Sequence, residues 1–334
     1  MDKSASSTVA TTRSLGVSLL ERIGNTPLLS LERLTAAHLP GIQGIQILGK
    51  AEWLNPGGSI KDRAAASIVL DAEKRGLLQF HQSRNSSSGT SPARGLLDAT
   101  SGNTGIAYAM LGAALDFPVT LCVPSNVSHE RKNILAAYGA EVIWTDPADG
   151  SDGAIRRARA LASAEPGRYM YADQYGNDQN WKAHYRTTAN EIWEQTEGQV
   201  THFIAGLGTS GTFMGTTRRL HELNPAIRCI SMQPDSPFNG FEGLKHMATA
   251  IVPAIYDSTI ADDNIFMETE RAYKMAKELG RNDGMLVGVS AAGAVATSLQ
   301  IAEQEARAGR EAVIVTILCD SADKYLSERF WQED

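Results

Sequence analysis

The sequence predicts an α/β protein with mainly parallel sheets and flanking helices. Three observations lead there. Apolar, β-rich runs alternate along most of the chain with stretches whose apolar residues recur at helical spacing, the pattern of strand–helix–strand crossovers. Three turns rich in glycine and hydroxyl residues each sit between a strand and the helix after it, where open α/β sheets hold ligands. At 334 residues the chain is long enough for about two domains, each with a sizeable core.

The elements follow in order. Ile45–Leu48 reads as a strand, and Ser59–Arg75 as a helix whose Ala, Ile, Val and Leu keep helical spacing. Leu96–Ala99, Val119–Val123 and Glu141–Thr145 are strands, separated by the helices Thr104–Leu115 and His129–Tyr138. The helices Gly153–Ala164 and Thr187–Gln195 come next. Strand His202–Ala205 passes through a glycine-rich turn into helix Thr212–Leu223, and Arg228–Gln233 is a further strand. Glu270–Leu279 and Ala291–Ala308 are helices, and Ala312–Leu318 is a last apolar strand. Two segments break the rhythm. Gln82–Arg94 is polar and Ser-rich, a solvated surface loop. Ser236–Thr259 is long and interrupted by Pro, Gly and Asn, which suits a functional loop.

Composition narrows the function. Lys and Arg number 31 against 38 Asp and Glu, a formal net charge of −7. Nucleic acid and anionic membranes reward clustered basic residues, so neither is expected as a partner. The three cysteines, Cys122, Cys229 and Cys319, are far apart and form no CxxC pair, so no disulfide framework and no metal site is expected. No stretch approaches the roughly 18 apolar residues of a membrane span, and the first 16 residues are polar. A cytoplasmic small-molecule enzyme is the expectation.

The chemistry lies in the three turns. In Pro56-Gly57-Gly58-Ser59-Ile60-Lys61-Asp62-Arg63 the glycines allow a tight turn, Ser59 can cap the helix, and Lys61 falls in its first turn. A cation is disfavoured there, which favours the neutral amine of a nucleophile; taken alone, a solvated lysine fits as well. In Thr100-Ser101-Gly102-Asn103-Thr104-Gly105, hydroxyls, an amide and free N–H groups at a helix start could hold a carboxylate or simply cap the helix. Gly206-Leu207-Gly208-Thr209-Ser210-Gly211-Thr212 satisfies GxGxxG, with Asp235 at the end of the next strand, as an NAD-dependent dehydrogenase requires. Its extra hydroxyls equally suit a terminal phosphate dianion.

Together, PGGSIKDR, TSGNTG and GTSGT, in that order and spacing, resemble the cysteine synthase group of pyridoxal-phosphate enzymes (O-acetylserine sulfhydrylases, with cystathionine β-synthase as a cousin). Ile23-Gly24-Asn25-Thr26-Pro27-Leu28, Asp173-Gln174-Tyr175, Gly288-Val289-Ser290 and Lys324-Tyr325-Leu326-Ser327 add to the match, which covers about residues 17–328. The resemblance implies a fold like the β subunit of tryptophan synthase, with the cofactor, pyridoxal 5′-phosphate, in a cleft between two domains. The smaller would span residues 46–177, the larger 1–45 plus 178–334. It implies that Lys61 holds the cofactor and is the catalytic base, and that Asn103 bonds the pyridine 3′-oxygen. Gly208, Thr209, Ser210, Gly211 and Thr212 would bind the phosphate. Thr100, Ser101, Gly102, Thr104 and Gln174 would bind the substrate's α-carboxylate. In the family a neutral hydroxyl or thiol after the last strand meets the pyridine nitrogen, here Cys319 or Ser321. The implied reaction is β-replacement on O-acetyl-L-serine or O-phospho-L-serine with sulfide or another sulfur donor, giving L-cysteine, in a homodimer. Another nucleophile, giving a diaminopropionate or cystathionine type of product, is the alternative. Lys245, beside His246 in the irregular loop, could meet the dianion of a phosphate ester, a charge that an acetyl group lacks.

Overall fold

The computed structural model describes residues 16–80 and 94–332. The polar N-terminus and, apart from Arg94, the Ser-rich segment Gln82–Arg94 lie outside the described residues. Two sheets organise the rest, with strands and helices numbered here along the chain.

The larger sheet holds β1 (Leu28–Ser30), β2 (Ile45–Ala51), β7 (His202–Gly206), β8 (Arg228–Pro234), β9 (Asp263–Met267) and β10 (Ala312–Leu318). Their spatial order is β1-β2-β10-β7-β8-β9, and every pairing is parallel except that of β1 with β2. Sequence explains the centre. β10 reads Ala-Val-Ile-Val-Thr-Ile-Leu, apolar toward both faces, as a strand buried on both sides must be. It pairs with β2 from Ala312–Ile45 to Leu318–Ala51, so β2 belongs to this sheet. Residue 46, the expected start of the smaller unit, thus lies inside a strand of the larger sheet. Helices α1 (Glu32–His38), α9 (Thr269–Asn282) and α10 (Val289–Arg307) cover one face, packing Leu34, Met275 and Val295 against Ile47 and Ile314. Helices α7 (Thr188–Gln195) and α8 (Gly211–Leu223) cover the other, with Ile192, Phe213 and Leu220 against Val315.

The smaller sheet is fully parallel: β3 (Gly95–Ala99), β4 (Val119–Pro124), β5 (Glu141–Thr145) and β6 (Tyr169–Tyr171), in the order β5-β4-β3-β6. Helices α2 (Lys61–Lys74), α3 (Asn103–Leu115) and α4 (His129–Ala137) pack on one face through Ile68, Ile106, Leu111 and Leu135. Helix α5 (Gly150–Ala164) covers the opposite face through Ile155 and Ala158. A last helix, α6 (Gln179–Arg186), packs against both α2 and α8 and so joins the two halves. Among the described residues no helix is long and apolar enough to cross a membrane.

Candidate active site

The three turns converge on one cleft lined from both halves of the molecule. Lys61 is the first residue of α2. Its N–H donates to Ser59 Oγ (3.2 Å), so Ser59 does serve the helix start. The turn is docked against the far end of β10 by the Ile60 N–H, which donates to the Cys319 carbonyl (2.9 Å). Asp62 is buried beneath it and accepts the Gly57 N–H at 2.5 Å; burial pushes its carboxyl up to about 7. Two residues past Lys61, Arg63 makes bidentate contacts to Glu52 and to Glu191 at 2.6–2.8 Å. Lys50 adds a second cation, 2.7 Å from Glu191. Burial would raise Glu191, but the Arg63 hydrogen bonds and the charges of Arg63 and Lys50 hold it down to about 2. The start of α2 is therefore pinned from several sides, while the Lys61 side chain reaches the cleft.

The second turn is built around Thr100, whose Oγ1 accepts the N–H groups of Gly102 and Gly105, both at 3.1 Å. Gln174 fastens it. Gln174 Nε2 donates to the Ala99 carbonyl (2.6 Å), and its Oε1 accepts from the Thr104 hydroxyl (2.8 Å). The Gln174 N–H in turn donates to Asp98, whose carboxyl is pushed up to about 7 by complete burial. Thr100, Ser101, Gly102, Asn103 and Thr104 all line the cleft. Asn103 Nδ2 donates to Asp320 Oδ2 at 2.7 Å, and its Oδ1 is buried with no partner among the described residues.

The third turn leads from β7 into α8. Ser210 has φ 67°, a left-handed conformation that a serine adopts only under constraint, and its buried Oγ has no partner among the described residues. A Cβ on Gly208 would stand 2.0 Å from the Gly243 carbonyl oxygen, so only glycine fits. Helix α6 backs the hydroxyls, a role that neighbouring sequence could not reveal. Asn180 Nδ2 donates to Thr209 Oγ1 (2.9 Å), and His184 Nε2 lies 3.3 Å from Thr212 Oγ1. Burial, then the charges of Arg63 and Lys61, push His184 well below its ordinary value, so it stands neutral behind the turn. Gly208, Thr209, Ser210 and Thr212 line the cleft; Gly211 opens α8 just behind it.

The remaining wall separates Cys319 from Ser321 and adds residues to which the sequence reading gave no role. Cys319 lines the cleft, but Ser321 does not: its hydroxyl turns to Asp323. Ser290, near the start of α10, lines the wall and donates to the Glu242 carbonyl (2.6 Å). Arg131 on α4 pairs with Glu242 of the irregular loop and lies 4.7 Å over the Tyr325 ring. Lys245 is neither solvated nor free. It is 6% exposed, and its Nζ lies 2.7 Å from Asp152 on α5. His246 bonds Thr249 instead and is not part of the lining. Away from the cleft, His221, Cys229 and Asp262 gather within 4.8 Å of one another at the start of β8. Their polar atoms are already engaged: Asp262 accepts the Cys229 N–H at 2.6 Å, and His221 Nε2 lies 3.1 Å from the Ile227 carbonyl.

Residues 19–320 match the family model described as pyridoxal-phosphate dependent enzyme, the class to which this cleft belongs. A cysteine synthase of Aquifex aeolicus (strain VF5) is 47% identical over 315 residues, 94% of this chain and 92% of its own. Among solved structures, a cysteine synthase from Entamoeba histolytica superposes with TM-score 0.84 at 33% identity, covering 100% of this chain and 95% of its own. An O-ureido-L-serine synthase does so with TM-score 0.84 at 32% identity, over 96% of each chain. The chain therefore belongs to the cysteine synthase family of pyridoxal-phosphate-dependent enzymes. The dinucleotide reading of the third turn falls: Asp235, the acid a ribose would need, is exposed and outside the cleft lining. The cleft fits the family's cofactor, since the unpartnered Ser210 hydroxyl and Asn103 oxygen supply buried polar atoms at two separate points of its wall.

Proposed function

We propose that this enzyme replaces the β-substituent of an activated L-serine, O-acetylserine or O-phosphoserine, with sulfide or another sulfur donor to give L-cysteine. The observation that carries the reading is the convergence of Lys61, Asn103 and the Gly208–Thr212 turn on one cleft. When bound, pyridoxal phosphate supplies an electron sink that lets the substrate Cα release its proton. Lys61 would hold the cofactor, and its amine would move the Cα proton as a positioned general base. Asn103 bonds the 3′-oxygen, and the Gly208–Thr212 turn binds the phosphate with N–H groups and hydroxyls at the start of α8. Thr100, Ser101, Gly102, Thr104 and Gln174 bind the α-carboxylate, and closure of their turn excludes water. Cys319 or Ser290, both in the cleft wall, would face the ring nitrogen as a neutral group, which favours elimination at Cβ over transamination.

The ester is read at Lys245. Asp152 offsets part of its charge, so the preference it gives a phosphate ester is modest. The smaller unit runs from the residue after β2 to about residue 177, and the enzyme works as a cytoplasmic homodimer, which sedimentation at enzyme concentrations in the assay range checks. Steady-state comparison of both esters with sulfide tests the reaction. A parallel arm with hydroxyurea tests the nucleophile, because an O-ureido-L-serine synthase shares the fold. L-Cysteine is expected as the main product; a ureido product formed faster than cysteine would replace this reading with that one.

A further inference from the structure

We infer that Asp320 is a positioning residue for the cofactor ring: its buried carboxylate fixes which end of the Asn103 amide is turned to it and which is left for the cleft. The inference rests on the reading that Asn103 meets the cofactor's 3′-oxygen. Asp320 follows β10, is 2% exposed and lines the cleft. It accepts from Asn103 Nδ2 at 2.7 Å, from the Tyr325 hydroxyl, and from the Cys319 thiol at 3.5 Å. In every contact of its side chain the carboxylate accepts. An acceptor facing an amide selects the NH₂ end, because the amide's own oxygen has nothing to donate. One amide proton of Asn103 is then spent on Asp320 while the second is left over. Oδ1, turned away from the carboxylate, is the buried oxygen that has no partner among the described residues. The amide is thus half satisfied, and its unused donor and acceptor are left for an occupant of the cleft.

The carboxylate is itself held in place. Asp320 bridges to Ser59, two residues before Lys61, and its carbonyl accepts the Gly288 N–H at 3.2 Å. Gly288 has to be glycine, since a Cβ there would stand 2.2 Å from Asp320 Oδ1. Tyr325, the second donor, lies under the Arg131 guanidinium. One residue therefore ties the direction of Asn103, through its side chain, to the turn that carries Lys61, through its backbone, although Asn103 and Asp320 are 217 residues apart.

The test is the visible absorbance and affinity of the bound cofactor, read without turnover in wild type, Asp320→Asn, Asp320→Glu, Tyr325→Phe and Asn103→Ala. Asp320→Asn can offer either end of its amide, so the Asn103 amide loses its fixed direction. The expected results are a band displaced in the same sense as in Asn103→Ala and a dissociation constant for pyridoxal phosphate raised about tenfold. Tyr325→Phe removes a donor but keeps the carboxylate–amide pair, and should leave the band where wild type has it. Asp320→Glu keeps an acceptor-only group and should be displaced less than Asp320→Asn; it carries the test if Asp320→Asn does not fold. An unmoved band in Asp320→Asn beside a moved one in Asn103→Ala would overturn the inference and leave the site reading standing. Equal displacement in Tyr325→Phe and Asp320→Asn would also overturn it, because the effect would then belong to packing. An unmoved band in Asn103→Ala would remove the site reading, and the inference with it.

Discussion

Lys61 stands at the one position of α2 where a cation is least welcome to the helix, and nothing among the described residues pairs with its side chain. We expect Lys61→Ala to fold normally, with stability changed by less than about 1 kcal/mol, and to lose turnover by far more than the tenfold that about 1.4 kcal/mol of barrier represents. Thermal unfolding beside an initial-rate assay checks both. Replacing Thr209, Ser210 and Thr212 together by Ala should weaken pyridoxal phosphate strongly, at about 1.5–3 kcal/mol for each lost charge-assisted bond; equilibrium dialysis reads it, and unchanged affinity would contradict the phosphate turn. Lys245→Ala should lower kcat/KM for O-phosphoserine about tenfold, roughly 1.4 kcal/mol, and leave O-acetylserine little changed. Equal loss for both esters would mean that Lys245 does not read the leaving group. Residues such as Lys61, Asn103 and Ser210 were legible because their turns are contiguous. Asp320, Asn180 and His184 were not, because their importance arises from contacts made across the fold with α3 and the third turn.

At the scale of elements, α2 is fixed by a buried network of two cations and two carboxylates, Lys50, Arg63, Glu52 and Glu191. Arg63→Met should destabilise by about 3–5 kcal/mol, because it leaves buried carboxylates uncompensated. Glu191 sits at about 2 in the folded protein against an ordinary 4.5, so its contribution is present above about pH 4.5 and is lost as pH falls toward 2. Glu191→Gln should flatten that acid limb in denaturant titrations at stepped pH. A slope unchanged by the substitution would show that the pair does not stabilise the fold. The long periodic elements were readable in sequence, with α2, α3, α8 and α10 starting within two residues of where their pattern puts them. The missed ones had little pattern to show. β1 and β6 have three residues each, and α6 (Gln-Asn-Trp-Lys-Ala-His-Tyr-Arg) is mostly polar, with no apolar period to read. β9 is an edge strand with exposed residues at alternate and terminal positions.

Across the whole molecule, the irregular loop joins the halves by two ion pairs of opposite polarity, Glu242 to Arg131 on α4 and Lys245 to Asp152 on α5. Asp152 also accepts the Ile251 N–H at 2.8 Å, so the loop is tied down beyond Lys245. Burial pushes Glu242 upward, against the pull of Arg131. The loop's irregularity was legible from its length and composition; its partners were not, since they come from the elements around the other sheet. With Glu242→Gln and Asp152→Asn combined, the cleft should close less completely, and pyruvate released by elimination should rise relative to cysteine. An unchanged product ratio would show that these pairs play no part in closure. The claim on which everything else depends is β-replacement in this cleft, and one product analysis tests it. Holoenzyme is mixed with sulfide and, in parallel runs, O-acetylserine or O-phosphoserine, and L-cysteine is quantified against ester consumed, in wild type and Lys61→Ala. Cysteine should make up most of the ester consumed in wild type and none in the variant. Ester consumed to pyruvate alone, or neither ester consumed at all, would contradict that claim.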